Sequence, residues 1–299
     1  MNDIAYVRHA SHKATAAEME LRYEALIAIV EEIQPCTVRQ AFYQAVVRDV
    51  VGKTEADYEK VQRALLFLRR DGRMDYDHIV DSSRIRWMPR QYDTTEEALE
   101  HLGNNLRLNL WRESPYRVEV WLEKLALESV ISRVTSAWGI PLYVSRGFSS
   151  DSYLYNAASE IAESERETYI YFLTDHDPSG LKIESAIRRG LLKMVDDLGG
   201  DPDSVNFERL GLLPEQIREH SLPSRPTKMS SHSHGFEGES TELDALHPDV
   251  LRELVNDAIA EHAEQEELDR IQREQELARE ALSAMDFTAY VEQRNGGQP

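Results

Sequence analysis

The feature that most constrains this chain is an alternation of strand-like and helix-like segments between residues 116 and 212. YRVEVWLE, IPLYVSR, TYIYFLTD and VNFERLGL read as strands. Between them lie LALESVISRVTSAW, stopped by Gly139, then SSDSYLYNAASEIAES, and then an amphipathic stretch running to about Leu198. Strands and helices in this order predict an α/β unit with a parallel sheet and right-handed crossovers.

In open parallel sheets, ligands bind outside the carboxyl ends of the strands. Glu123 falls at that end of the first strand, and Asp175 and Asp177 at that end of the third. Alternate residues of extended chain point the same way, so the two aspartates can converge. Pro178 biases Asp177 towards an extended backbone and preserves that geometry. Three carboxylates meeting there repel one another unless a cation lies between them, and oxygen-only ligands suit Mg²⁺ or Mn²⁺. Each acid taken singly also has a structural reading. Asp177 before Pro178 suits a helix N-cap with proline at the first helical position, and Glu123 suits a surface residue at a strand end. The joint arrangement, at matching strand ends about fifty residues apart, favours a site.

Upstream, residues from about Ala16 to Ile33 read as a helix broken by Pro35. Thr37 reads as the N-cap of a second helix through Val51, closed by Gly52, and a third follows Thr54 and ends at Gly72. MDYDHIV alternates as a short strand or wing. Three helices and a wing suggest a winged-helix DNA-binding unit over residues 1–90, whose third helix carries Lys60, Arg63, Arg69 and Arg70 on or near its polar side. A solvated helical bundle with ordinary surface charge fits the same residues. Residues 91–115 are expected to form a linker, 116–247 the α/β domain, and 248–299 a helical tail. Within that tail one helix is expected from Pro248 to about Ala284, either oligomerising or, in its Glu-rich second half, solvated.

Charge bears on the choice of partner. The 299 residues carry 34 Lys and Arg against 54 Asp and Glu, a net charge of −20, which argues against simple electrostatic binding of DNA. The region from Arg39 to Arg90 is nevertheless mildly basic, and much of the negative excess follows Pro248. The single cysteine, Cys36, excludes an intrachain disulfide framework and a cysteine-rich zinc site. The first twenty residues lack an apolar core of signal-peptide type, and no run approaches about 18 apolar residues. A cytoplasmic, nucleoid-associated protein with no membrane segment is expected.

WLEK followed by TDHDPSG resembles the Glu and Asp-x-Asp signature of Toprim domains, found in topoisomerases, primases and some nucleases. SRGFSSDS is similar to the glycine-containing turn common in that fold. Further upstream, TVRQAFYQAV and LRRDGRMDYDHIVDSSR resemble the winged-helix domain of the topoisomerase VI A subunit and the related meiotic double-strand-break protein. The combined match spans roughly Thr37 to Gly211, and the tyrosine motif is its shortest part. The resemblance implies that Tyr43, four residues after Arg39, is the DNA-cleaving tyrosine. It also implies a phosphotyrosyl link to a DNA 5′ end, with Tyr43 of one protomer meeting the metal site of another in a homodimer. The chain is shorter than typical A subunits and has no ATPase signature, so strand passage would need a separate ATPase subunit. PTKMSSHSHGFEGESTELDALHPD, with Lys228, Glu242 and Asp244, is similar to phage and bacterial relatives; Glu242 and Asp244 can either approach the metal site or cap the terminal helix, and the cap is the preferred reading. His232 and His234 resemble a zinc pair but read as a polar loop.

The apolar stripe of the second helix is Val38, Ala41, Phe42, Ala45 and Val46, and Tyr43 lies off it on the side of Arg39. That placement suits chemistry, and it also suits a packing contact with the next domain. A phenol has a pKa near 10 and needs activation before it attacks phosphorus, which an arginine and a metal can supply. Three functions follow: a tyrosine transesterase, a Toprim nuclease using water with Tyr43 structural, and a non-cleaving DNA-binding subunit.

Overall fold

In this computed structural model, residues 15–80, 88–145, 147, 149–226, 236 and 239–284 are described. Three helices come first, α1 (Ala16–Ile33), α2 (Val38–Val47) and α3 (Glu55–Arg70). Each starts on a threonine whose hydroxyl accepts a first-turn N–H: Thr15 from Glu18, Thr37 from Gln40 and Thr54 from Asp57. The expected strand or wing in MDYDHIV is instead a 3₁₀ turn over Tyr76–His78. Local bonds from His78 N–H to Asp75 and from Ile79 N–H to Tyr76 close the chain on itself, and only an isolated bridge joins Ile79 to Cys36. Residues 81–87 lie outside the described residues.

The stretch 91–115 is not a bare linker. It holds α4 (Thr95–Asn105), and the residues after it are clasped by the C-terminal helix α10 (Gln265–Ser283). Gln275 accepts the Leu108 N–H at 2.9 Å, Arg279 donates to the Leu106 carbonyl at 2.8 Å, and Arg270 pairs with Glu113 at 2.7 Å. Leu268 and Ile271 are buried by this contact, so the Glu-rich second half is not simply solvated. Nor is the tail one helix. It breaks after α9 (Pro248–Ala260), where the His262 ring packs 3.9 Å from Tyr169 and its Nε2 lies 2.7 Å from the Tyr171 hydroxyl. That turn carries α10 back towards α4.

The sheet matches the expected strands closely: β1 (Tyr116–Leu122), β2 (Leu142–Val144), β3 (Glu167–Leu173) and β4 (Val205–Gly211). All pairings are parallel, in the order β2-β1-β3-β4. The helices α5 (Glu128–Trp138), α6 (Asp151–Ala162) and α7 (Pro178–Asp197) complete an α/β unit, and the short α8 (Pro214–Glu219) follows β4. The strand alternation divides the core. Val118, Val120, Leu122, Tyr171 and Leu173 share one apolar cluster with α1–α3, α5 and α9. Trp121, Ile170 and Phe172 face α6 and α7. Full burial of one such side chain stabilises by about 2 kcal/mol. β1 continues to β2 on one side while β3 lies on the other, so the strand order reverses between β1 and β3, where ligands of such sheets bind. No described helix is long and apolar enough to cross a membrane.

Candidate active site at the strand ends

Glu123 and Asp175 leave adjacent strands at that reversal point. The Leu122↔Leu173 register puts Glu123 beside Thr174, and the Glu123 N–H donates to the Leu173 carbonyl at 3.0 Å. The buried Thr174 hydroxyl donates to Glu123 Oε2 and orients the carboxylate. Asp175 Oδ1 accepts the Leu243 N–H at 2.8 Å and lies 2.9 Å from Lys124 Nζ. Burial pushes the Asp175 carboxyl up to about 6, against the attraction of Lys124.

Asp177 is the N-cap of α7, with Pro178 in the first turn, and its Oδ1 accepts the Gly180 N–H at 2.7 Å. The structural role foreseen for it is therefore real, and the cap fixes the orientation of the carboxylate. Gly180 makes this seating possible. A Cβ there would stand 2.4 Å from the Asp175 carbonyl oxygen and 2.7 Å from Thr174 Oγ1, so only glycine lets the helix rest on that backbone. Gly147, in the turn after β2, takes φ +95°, a left-handed conformation that suits glycine.

Arg209 of β4 is a cation whose field reaches all three acids. Its guanidinium lies 3.0 Å from Glu184 and donates to the Asp175 carbonyl at 3.2 Å, and it interacts electrostatically with Glu123, Asp175 and Asp177. Burial depresses its pKa, and these acids offset that in part. As they stand, no three His, Cys, Asp or Glu side chains among the described residues enclose a metal position. The donors at the strand ends are nevertheless all oxygen, and the chain's own N–H and O–H groups hold each carboxylate in place, which fits a hard divalent cation.

The segment 239–245 lies beside Asp175, in line with the less favoured reading of Glu242 and Asp244. His176 and Thr241 exchange backbone hydrogen bonds at 3.0 Å, and this bridge lays Glu242 and Asp244 alongside Asp175. Neither caps α9, whose N-cap is His247. Lys124 Nζ lies 2.5 Å from Asp244 and 3.4 Å from Glu242. Arg39 pairs with Glu242 at 2.7 Å and Arg225 at 3.3 Å. Burial would raise the Glu242 carboxyl, but Lys124, Arg39, the Tyr43 hydroxyl and Arg225 hold it down to about 2.

Tyr43 lies off the apolar stripe, as its spacing predicts, yet it is buried, 5% exposed, because the 242–245 segment covers that side of α2. Its hydroxyl donates to Glu242 and Lys53 stands over its ring at 5.6 Å. Burial, and then Glu242, push the phenol well above its usual value. Tyr43, Arg39, Lys53, Arg225 and Glu242 line a cavity of about 340 Å³ beside α2 and the start of α3.

The four candidate DNA contacts on α3 do not line that cavity. Lys60 pairs with Asp57 at 2.8 Å and Arg63 with Glu59 at 3.9 Å; Arg69 stacks over Tyr76, and Arg70 is exposed. Lys228, His232 and His234 lie outside the described residues.

Four cations escaped notice as site residues: Lys53, Lys124, Arg209 and Arg225. Lys124 follows Glu123 directly, and Arg209 is a basic residue near the carboxyl end of β4; both were legible signals. Lys53 and Arg225 carried none. A scan of protein-family models finds no match for this chain, and a comparison with curated proteins finds none.

Proposed function

We propose that this chain is a DNA-cleaving subunit resembling the topoisomerase VI A subunit, with a Toprim-like α/β unit and an N-terminal three-helix DNA-binding unit. The observation that supports it best is the continuous polar link Tyr43–Glu242–Lys124–Asp175, which ties the tyrosine to the strand-end acids within a single chain. No second copy is needed for this link, although a homodimer remains part of the proposal for cutting both strands of a duplex.

In this reading the cavity beside Tyr43 receives a backbone phosphate, with Arg39, Lys53 and Arg225 as its positive lining. Glu242 holds the phenol in one orientation. The Tyr43 oxygen bonds to phosphorus, the bond from phosphorus to the 3′ oxygen breaks, and the phenol proton ends on that leaving oxygen. Glu123, Asp175 and Asp177 would hold Mg²⁺ or Mn²⁺, which when bound stabilises charge on the non-bridging and leaving oxygens. Arg39 and Arg225, drawn from Glu242 to the phosphate, offset the developing charge. Lys60, Arg63, Arg69 and Arg70 would contact the duplex backbone from α3. Strand passage would require a separate ATPase subunit, and action on the chromosome would put the protein at the cytoplasmic nucleoid.

One observation favours a second reading, hydrolysis by water with Tyr43 structural: the phenol is buried, bonded to Glu242 and hard to ionise. A single experiment separates them. Supercoiled plasmid is incubated with the protein and Mg²⁺, denatured, and examined for DNA covalently bound to protein. Protein-linked 5′ ends that vanish in Tyr43→Phe support transesterification, whereas free ends that persist in Tyr43→Phe support hydrolysis. Asp175→Ala abolishes cleavage under both, and full activity in that variant would refute the site. Absence of cleavage with every divalent metal, alone or with a partner ATPase, leaves a DNA-binding role only.

A further inference from the structure

Lys124 is largely buried, with 17% of its side chain accessible, and it faces three carboxylates from two distant segments. An ammonium has three N–H donors and no acceptor. Here Nζ meets Asp175 at 2.9 Å, Asp244 at 2.5 Å and Glu242 at 3.4 Å. Without it, three acids with side chains 14%, 0% and 10% exposed would crowd one buried space. Asp244 is fully buried, and its second oxygen, Oδ1, has no hydrogen-bond partner. A buried carboxylate oxygen left unpartnered beside a cation is a ligand atom in waiting.

We propose that Asp175, Glu242 and Asp244 form a second cation position next to the strand-end acids, and that the Lys124 ammonium fills it permanently in place of a divalent ion. Asp175 belongs to both positions, and its Oδ1 is bonded to Lys124 and to the Leu243 N–H. The fixed ammonium has two consequences. It holds the 239–245 segment, and with it Glu242 under Tyr43, against the sheet. It also leaves the protein one exchangeable divalent position rather than two. This inference rests on the proposed metal role of the strand-end acids only for the count in the native chain; the effect of removing Lys124 stands by itself.

The test measures Mn²⁺ bound per full-length chain, by titration against the free-ion electron paramagnetic resonance signal, for the native protein, Lys124→Met, Lys124→Arg and Lys124→Met/Asp244→Asn. The expected result is one additional Mn²⁺ per chain in Lys124→Met, lost again in the double variant, with Lys124→Arg matching the native count. If the native chain binds none and Lys124→Met binds one, the strand-end metal fails and the second position holds. Equal counts in native and Lys124→Met overturn the second position whatever the native count is. Thermal melting covers the case in which Lys124→Met is unfolded without metal. Mn²⁺ should then restore its transition and raise it by more than it raises the native one, since a ligand stabilises only the state that binds it. A Lys124→Met chain that stays unfolded at every Mn²⁺ concentration, or that gains no more than the native protein, overturns the proposal.

Discussion

The strand-end acids and the tyrosine cavity adjoin each other, but they are held by different means. Glu123, Asp175 and Asp177 are set by backbone: a strand register, a helix cap, and a glycine that lets α7 sit on the β3 exit. Tyr43, Arg39 and Glu242 are set by side-chain bonds between segments about two hundred residues apart in sequence. Backbone-built geometry is rigid and tolerates change at few positions. Geometry built from ion pairs depends on charge balance, and therefore on pH and on each partner's presence.

The sharpest way to break this contrast is Gly180→Ala. The added methyl must displace the Asp175 carbonyl or the whole first turn of α7, so we expect a loss of about 3 kcal/mol and of all activity that needs the strand-end acids, as read by thermal unfolding and plasmid cleavage. Near-native stability would mean that backbone does not fix this region.

Glu242→Gln probes the other region and should cost about 3 kcal/mol, because Lys124, Arg39 and Arg225 lose a shared, largely buried counter-charge. The sign of its pH dependence follows from linkage. Glu242 is held at about 2 in the folded protein against 4.5 ordinarily, so its stabilisation is present above 4.5 and is lost as pH falls from 4.5 towards 2. An acid-unfolding component in that window should be absent from Glu242→Gln. In the same variant the Tyr43 phenol should titrate at lower pH than in the native chain, read by its ultraviolet difference spectrum, since one of its two raising causes is gone.

His262 offers a smaller effect away from both regions. Burial among tyrosines depresses its pKa below 6.5, so the unfolded chain takes up the proton first, and stability should fall as pH drops through 6.5. His262→Phe should flatten that slope in urea unfolding series taken between pH 7.5 and pH 5.5, values chosen to lie about one unit on either side of the free imidazole pKa.

The smallest expected effect is on α3. Lys60→Ala and Arg63→Ala remove exposed pairs with Asp57 and Glu59 and should change stability by less than about 0.5 kcal/mol. If α3 meets DNA, the same changes weaken binding and make it less salt-dependent, by roughly one counterion per residue. An unchanged salt slope removes α3 from the interface.

Much of this architecture was legible in the chain. The four strands, the threonine caps of α2 and α3, and the positions of Glu123, Asp175 and Asp177 all follow from local periodicity and stop signals, which act over a few residues. The errors have a common cause. MDYDHIV alternates in sequence, but hydrogen bonds between near neighbours in the turn outcompete a strand that has one bridge to pair with. Residues 91–115 look like a linker because α4 has no apolar face large enough to stand alone; it needs α10. The tail breaks where His262 finds three tyrosines of the sheet.

What the sequence by itself determined is the α/β alternation and the delivery of three acids to one edge of the sheet, because strand direction and side-chain alternation are local properties. What only the tertiary structure decided is the company those acids keep. Glu242 and Asp244 reach them through pairing between remote segments, the His176–Thr241 bridge above all, and Tyr43 is buried because a distant segment covers it. Electrostatic partners act through space at a few ångströms, and no spacing along the chain encodes which charge will lie that close after folding.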